Sequence, residues 1–369
     1  MNIFQDHRIV LSLDAGGTNL DFSAMQGGRV LGEEHSIPAA SKNLDELMEK
    51  IAQGFLHLQN HVGQADAISF AFPGPADYPN GIIGDLENLP VFRGGVALAP
   101  YLQKKFNIPV FINNDGDLFT LGEALGGFLP YLNQRLKEHG SKKRYRNLIG
   151  ATFGTGFGGG LVVNGNLIVG DNSAAGEINR MSNILYPGSS VEESVSIRAI
   201  KRVYAREANT IADFAPEPFD IFLIAKGEKD GNQQAAIKSF KELAIAAADA
   251  LANTITLFDA SVVIGGGLSG ANSLFLPSLL QELNSKLKTL DGKEVSRMEV
   301  FAYNVYDPKY MKDFISDTSV EINIPGSTEK LHYNPVKKIA IGVSQLGTSA
   351  AVALGAYAFA LQKLDQVED

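Results

Sequence analysis

Two glycine-rich turns, each set between apolar strand-like runs, constrain this chain more than any other feature. The first, Asp14-Ala15-Gly16-Gly17-Thr18, follows the run 8–13. The second, Gly154-Thr155-Gly156-Phe157-Gly158-Gly159-Gly160, lies between 147–153 and 161–163. A strand–turn–strand unit that occurs twice is an internal structural repeat and not a tandem array. The chain has 369 residues, more than the roughly 250–300 that one hydrophobic core organises, so two α/β lobes are expected. A hydrophobic fraction of 45% supplies ample core.

Between the turns, Leu44, Leu47, Ile51, Phe55, Leu58 and Val62 recur at helical spacing. A buried strand over 67–72 stops at Pro73-Gly-Pro75, and another over 109–112 leads into Asn113-Asn114-Asp115. Helices are expected over 191–206, 219–227, 232–258 and 347–363. A strand over 261–264 ends in Gly265-Gly266-Gly267. The stretch 290–340 has weak periodicity and receives no element or role. The most apolar run, 350–361, is too short to span a bilayer and reads as interrupted by Gly355. Residues 1–13 lack a secretory apolar region, so a soluble, cytoplasmic protein without membrane partners is expected.

Charge and cysteine usage exclude further classes. The formal net charge is −9, the wrong sign for a protein whose main partner is nucleic acid. The one basic cluster, Lys142-Lys143-Arg144 with Arg146, reads as a solvated loop. There is no cysteine, so disulfides, thiolate metal sites and a cysteine nucleophile are impossible.

The turns carry the chemistry. Gly16 and Gly17 allow a sharp turn whose amides can face phosphate oxygens, Thr18 adds a hydroxyl, and Asp14 suits a hydrated magnesium ion. A plain hairpin turn is the alternative reading of that motif. The second turn has five glycines in seven residues, each costing about 0.5–1 kcal/mol against alanine in a strand. A turn needs one or two, so the excess points to a backbone approached by a ligand, most simply a triphosphate at Gly154, Thr155 and Gly156. No Gly-Lys-Ser/Thr follows and a strand succeeds it, which excludes a P-loop and a dinucleotide fingerprint. Gly265-Gly266-Gly267-Leu268-Ser269 reads either as a strand-to-helix turn or as a flat surface for adenine and ribose, at Gly266 and Gly267. Asp115, at a strand's carboxyl end beside Asn114, is placed where open α/β sheets bind ligands and suits a base that takes a hydroxyl proton. Asp117 reads as a capping or exposed acid.

These segments, with Asn88-Leu-Pro90, Leu121-Gly-Glu123, Gly176-Glu-Ile178 and the Gly347–Ala356 helix, occur in the order found in the ROK family. That family comprises bacterial sugar kinases and related repressors within the actin/hexokinase/Hsp70 ATPase superfamily, and the chain resembles it over most of its length. The resemblance implies a two-lobed actin-like ATPase (ribonuclease H-like) fold with duplicated strand–turn–strand phosphate-binding units around a cleft. One lobe would span 1–114 completed by 347–369, the other 115–346. It further implies ATP, magnesium and a hexose or N-acetylhexosamine phosphorylated at O6, with a homodimer as the assembly. Asp115 falls on the family's catalytic base. Asn114, Asn88, Glu177 and Glu193 fall on its sugar contacts, with Glu192 the alternative to Glu193. Two departures stand out. The family's Glu-x-Gly-His reads Glu177-Ile-Asn-Arg180, and its cysteine-rich zinc loop reads Tyr186-Pro-Gly-Ser-Ser190, so no zinc site of that type can form. Arg180 would then bind the sugar, bind an acidic group on it, or brace Glu177. An active sugar kinase is the leading expectation. A kinase-like sugar binder without catalysis is the alternative, and a DNA-binding regulator is disfavoured because the first phosphate turn begins at Asp14.

Overall fold

Strand burial follows the local sequence pattern. In the computed structural model, which describes residues 2–15, 19–72, 74, 76–85 and 91–367, β1 (Val10–Ala15) is buried along its first four residues, whereas β2 (Asn19–Gln26) begins with alternating exposed and buried positions. They pair antiparallel from Val10↔Met25 to Ala15↔Leu20. β3 (Arg29–Val30) and β4 (His35–Pro38) both pair with β2. α1 (Leu44–Val62) starts where the Asn43 side chain accepts from the Glu46 amide, and it buries the expected face of Leu47, Ile51, Phe55 and Leu58. β5 (Ala67–Ala71) runs parallel to β1. Short strands β6 (Ala76–Asp77), β7 (Ile82–Ile83) and β8 (Val96–Ala97) form a separate meander, followed by α2 (Leu98–Phe106). β9 (Val110–Asn113) completes the order β3-β2-β1-β5-β9, and α3 (Asp115–Leu125) leaves it after the single residue Asn114. Phe22, Phe55, Phe70, Phe72 and Phe92 form the centre of this core.

The second glycine turn builds a second sheet by the same logic. α4 (Phe128–Glu138) leads through the exposed 142–144 loop to β10 (Leu148–Phe153), β11 (Phe157–Val163) and β12 (Asn166–Leu167). α5 (Ile197–Glu207), α6 (Pro218–Lys226) and α7 (Gln233–Phe258) precede β13 (Ser261–Gly265), which joins β10 in parallel. α8 (Asn272–Leu283) follows. The stretch that lacked periodicity is ordered into short pieces: hairpin β14 (Lys286–Lys288) with β15 (Glu294–Ser296), β16 (Phe301–Asn304), α9 (Pro308–Ile315), and hairpin β17 (Val320–Asn323) with β18 (Lys330–Tyr333). β19 (Lys338–Val343) lies between β13 and β16, giving the order β12-β11-β10-β13-β19-β16. Its first five strands repeat the first sheet's pattern of a hairpin edge followed by two parallel strands.

By packing, the chain divides into one unit of residues 1–127, 160–176 and 345–369 and another of 128–159 and 177–344. The division expected after residue 114 is therefore displaced to residue 127. The cause is α10 (Thr348–Val367), which packs along α3 and keeps it in the first unit. Gly355 does not interrupt α10. A methyl group there would overlap the Leu118 carbonyl oxygen, and one at Gly122 would overlap the Ala351 carbonyl oxygen. The two helices cross backbone to backbone, a separation only glycine permits. Among the described residues no helix is long and apolar enough to cross a membrane. Gly355→Ala must push α10 off α3, and an overpacking cost of about 1–3 kcal/mol is expected. Urea unfolding should show a lower midpoint with an unchanged slope, and an unaltered midpoint would contradict the close crossing.

Candidate active site

In the first unit, polar side chains at the end of β9 form a short relay. Asn113 is buried, and its side-chain oxygen accepts from the Asn114 amide at 2.8 Å. Asn114 caps α3, its side-chain oxygen accepting from the Gly116 amide at 2.8 Å. The Asp115 carboxylate accepts from the same amide at 2.9 Å and is exposed. Asp115 thus stands at a strand's carboxyl end, as expected, and is also the first residue of a helix. Of the two readings of Asp117, capping or exposed, the exposed one fails: it is buried, in the first turn of α3.

Asp14, the penultimate residue of β1, lies directly across the hairpin from Asp21. Although its side chain reaches solvent, the surrounding protein desolvates it and pushes its pKa above the ordinary 3.8. The charges of Asp21 and Asp115 push the same way, and a hydrogen bond with Ser349, in the first turn of α10, opposes them. Nothing in the local sequence marked Ser349, which lies far away in the chain. Gly16, Gly17, Thr18 and Asn88 lie outside the described residues. No group of three or more His, Asp or Glu among the described residues is placed to hold a metal ion.

The second unit brings the other two glycine turns together. Gly266 has φ +85°, and a methyl there would lie 2.6 Å from the Phe153 nitrogen. The Leu268 amide donates to the Phe153 carbonyl at 2.9 Å. The third turn therefore lies on the end of β10, where the second turn starts. Gly154 has only the Gly267 nitrogen near its missing side chain, at 3.9 Å, and nothing approaches Gly267 within 4 Å. Those two positions are open, and Thr155 is exposed beside them. Gly158 and Gly160 have packing duties instead. A methyl at Gly158 would overlap the Thr152 hydroxyl, and one at Gly160 would lie 2.5 Å from the Gly116 carbonyl of α3. The glycine excess thus reflects both an open backbone and close packing.

Glu192, more than Glu193, addresses this turn. Its Oε2 accepts from the Phe157 amide at 3.1 Å, and a methyl at Gly156 would lie 2.5 Å from that oxygen. Glu193 faces Arg202 at 3.2 Å and Arg198 at 3.6 Å, while Arg202 also donates to the Glu193 carbonyl. Arg198 lies 3.6 Å from Glu192 as well. Glu177 and Arg180 occupy the two ends of one exposed 3-10 turn, Ile178–Arg180 capped by Glu177. That turn packs on the turn of Glu192, with the Val191 amide bonded to the Met181 carbonyl at 2.8 Å. Between Glu177 and Arg180, the Asn179 side-chain oxygen is buried with no partner among the described residues.

The loop that could not bind zinc is organised by an amide. Asn183 is buried; its oxygen accepts from the Leu185 amide at 3.0 Å and the Tyr186 amide at 3.3 Å. Its nitrogen donates to the Ser190 carbonyl at 3.1 Å and the Ser194 hydroxyl at 2.9 Å. One side chain thereby ties both ends of the 182–190 loop. Tyr186 continues outward into a network with Arg206 and Glu242.

Two sheets of matching strand order are the architecture of the actin-like ATPase fold. The sequence profile of the ROK family matches residues 10–304, and the chain belongs to that family. A glucokinase from Parabacteroides distasonis is 49% identical, with a TM-score of 0.88 over 98% of this chain and 99% of its own. The glucokinase of Thermotoga maritima is 25% identical over 74% of this chain and 86% of its own length. The N-acetyl-D-glucosamine kinase of Aliivibrio fischeri is 27% identical over 71% and 85%. These relatives are sugar kinases.

Because Asp14 has a raised pKa in the folded state, its stabilising contribution is complete below the unfolded value near 3.8 and is lost as pH rises through the folded value. Asp14→Asn should therefore melt higher than wild type at neutral pH, with the difference vanishing below pH 3.8. A variant that melts lower at neutral pH would contradict the desolvated, mutually repelling arrangement.

Proposed function

We propose that this protein transfers the γ-phosphoryl group of ATP to a hexose or N-acetylhexosamine, at O6, with Asp115 as the general base. The observation that carries this reading is the Asn113–Asn114–Asp115 relay, which sets an exposed carboxylate on the first residue of α3 in a chain closely similar to a glucokinase. Phosphoryl transfer asks a protein for positioning, charge neutralisation and an acceptor for one proton. In the proposed step the Asp115 carboxylate takes the sugar hydroxyl proton as that oxygen bonds to the γ-phosphorus, the bond to the bridging oxygen breaks, and ADP leaves. The Asn114 oxygen is spent on capping, so its amide nitrogen is the group offered to a sugar oxygen.

On the second unit, Glu177 and Glu192 supply carboxylates for sugar hydroxyls, with Arg180 beside them. Charge-assisted bonds of this kind are shorter and stronger than neutral ones. Glu193, already ion-paired with Arg202, serves instead to hold that turn. The Gly154–Gly156 backbone offers its amides to phosphates, and Gly266 and Gly267 form the nucleoside surface. Asp14 would hold magnesium: one carboxylate plus water and phosphate oxygens satisfies this ion, and it would offset phosphate charge. Dependence on ATP would put this reaction in the cytoplasm.

ADP production measured over a panel of glucose, mannose, fructose and their N-acetylated amino analogues tests the proposal. Wild type should turn over at least one sugar, and Asp115→Asn should lose about 10²–10⁴-fold in kcat while calorimetry shows sugar affinity changed only a few-fold. Sugar binding without turnover of any member would replace this reading with that of a non-catalytic sugar binder.

A further inference from the structure

The acid that flanks the first glycine turn is held from outside its own hairpin. Asp14 faces Asp21 across the β1–β2 ladder, and the charges of Asp21 and Asp115 both oppose its ionisation. The Ser349 hydroxyl donates to the same carboxylate, and of the described groups that act on it this is the one that favours its charged form. A serine that only started its helix would spend its hydroxyl on an amide of that helix. Ser349 spends it on a carboxylate of β1.

The whole length of α10 delivers that hydroxyl. At its start the helix begins abruptly after Gly347, whose φ is +82°, and the Ala351 amide closes the first turn on the Gly347 carbonyl at 3.0 Å. About two turns beyond Ser349, the buried Tyr357 hydroxyl accepts from the Gly27 amide at 2.9 Å, in the turn between β2 and β3. About two turns further still, Asp365 accepts from Arg8, just ahead of β1, at 2.7 Å. The helix is thus fastened to the first hairpin at three levels. Its first turn, whose amides have no carbonyl partner within the helix, favours a nearby anion and has no acid of its own. Asp14 supplies that charge from β1. Without the bond to Ser349, a carboxylate repelled by Asp21 and Asp115 would turn away from them toward water. We propose that Ser349 is a positioning residue for nucleotide binding, its hydroxyl holding the Asp14 carboxylate in the orientation that receives magnesium together with the phosphates of ATP, an inference that rests on the reading of Asp14 given under the proposed function.

Calorimetric titration of the full chain with AMPPNP, in magnesium and in EDTA, tests this. Ser349→Ala should weaken binding in magnesium by at least about 10-fold, the loss expected when a hydrogen bond to a charged group is removed, and should bind AMPPNP in EDTA as wild type does. Ser349→Thr keeps the hydroxyl and should restore the magnesium response, which a purely structural role for the serine would not require. Unchanged affinity of Ser349→Ala in magnesium, an equal loss in EDTA, or a threonine variant as weak as the alanine one would each overturn the proposal. Asp14→Asn separates this inference from the reading beneath it. If that variant loses the magnesium response while Ser349→Ala keeps it, Asp14 stands and the role of Ser349 falls. If Asp14→Asn responds to magnesium as wild type does, both fall. Binding and not turnover is measured, so the outcome does not depend on whether Asp115 is the base.

Discussion

The first unit depends on two helices meeting with no side chain between them. At Gly122 and Gly355, α3 and α10 approach until an added methyl would overlap the opposing carbonyl. That contact fixes the rotation and height of α3, whose first residue is Asp115. It also fixes the first turn of α10, whose Ser349 bonds Asp14. Two carboxylates, one on β1 and one on α3, are thus indexed to one helix crossing. Desolvation and the neighbouring charges of Asp21 and Asp115 make Asp14 costly in the folded protein, a pattern expected where function has been favoured over stability.

The second unit solves a different problem, the support of an open glycine backbone. An unsupported run of this kind would be lax, since glycine loses the most conformational freedom on folding. Here the run is anchored at several points: the Ile197 amide bonds the Gly154 carbonyl at 2.8 Å, Glu192 receives the Phe157 amide, and the third turn rests on Phe153. The neighbouring 182–190 loop, which has no cysteine, is held by the side-chain amide of Asn183.

Much of this was legible from local sequence, and the misreadings have physical causes. The position of Asp115 at a strand's carboxyl end was legible because the apolar run that leads into it is a short-range pattern, whereas the cap that Asn114 forms was not read. The repeated sheet order was legible because glycine turns announce themselves. Glu192 and Glu193 were harder to separate, because neighbours on a tight helical turn point about 120° apart, and only the phase of that turn shows which one reaches the loop. Gly355 read as a helix break because its partner, the carbonyl of Leu118, is more than two hundred residues away. The glycine excess of the second turn read as ligand approach alone because the packing neighbour of Gly160, the Gly116 carbonyl, is distant in sequence. The 290–340 stretch gave no signal because strands of three or four residues are too short to show a period.

The account rests on the Asp115 carboxylate reaching an acceptor hydroxyl. A crystal structure with bound sugar and a non-hydrolysable ATP analogue measures this directly. It should show an Asp115 oxygen within about 2.6–3.2 Å of one sugar hydroxyl, with that hydroxyl aimed at the terminal phosphorus. A sugar bound with every hydroxyl beyond reach of Asp115, or with Asp115 turned into the first-unit core, would contradict it.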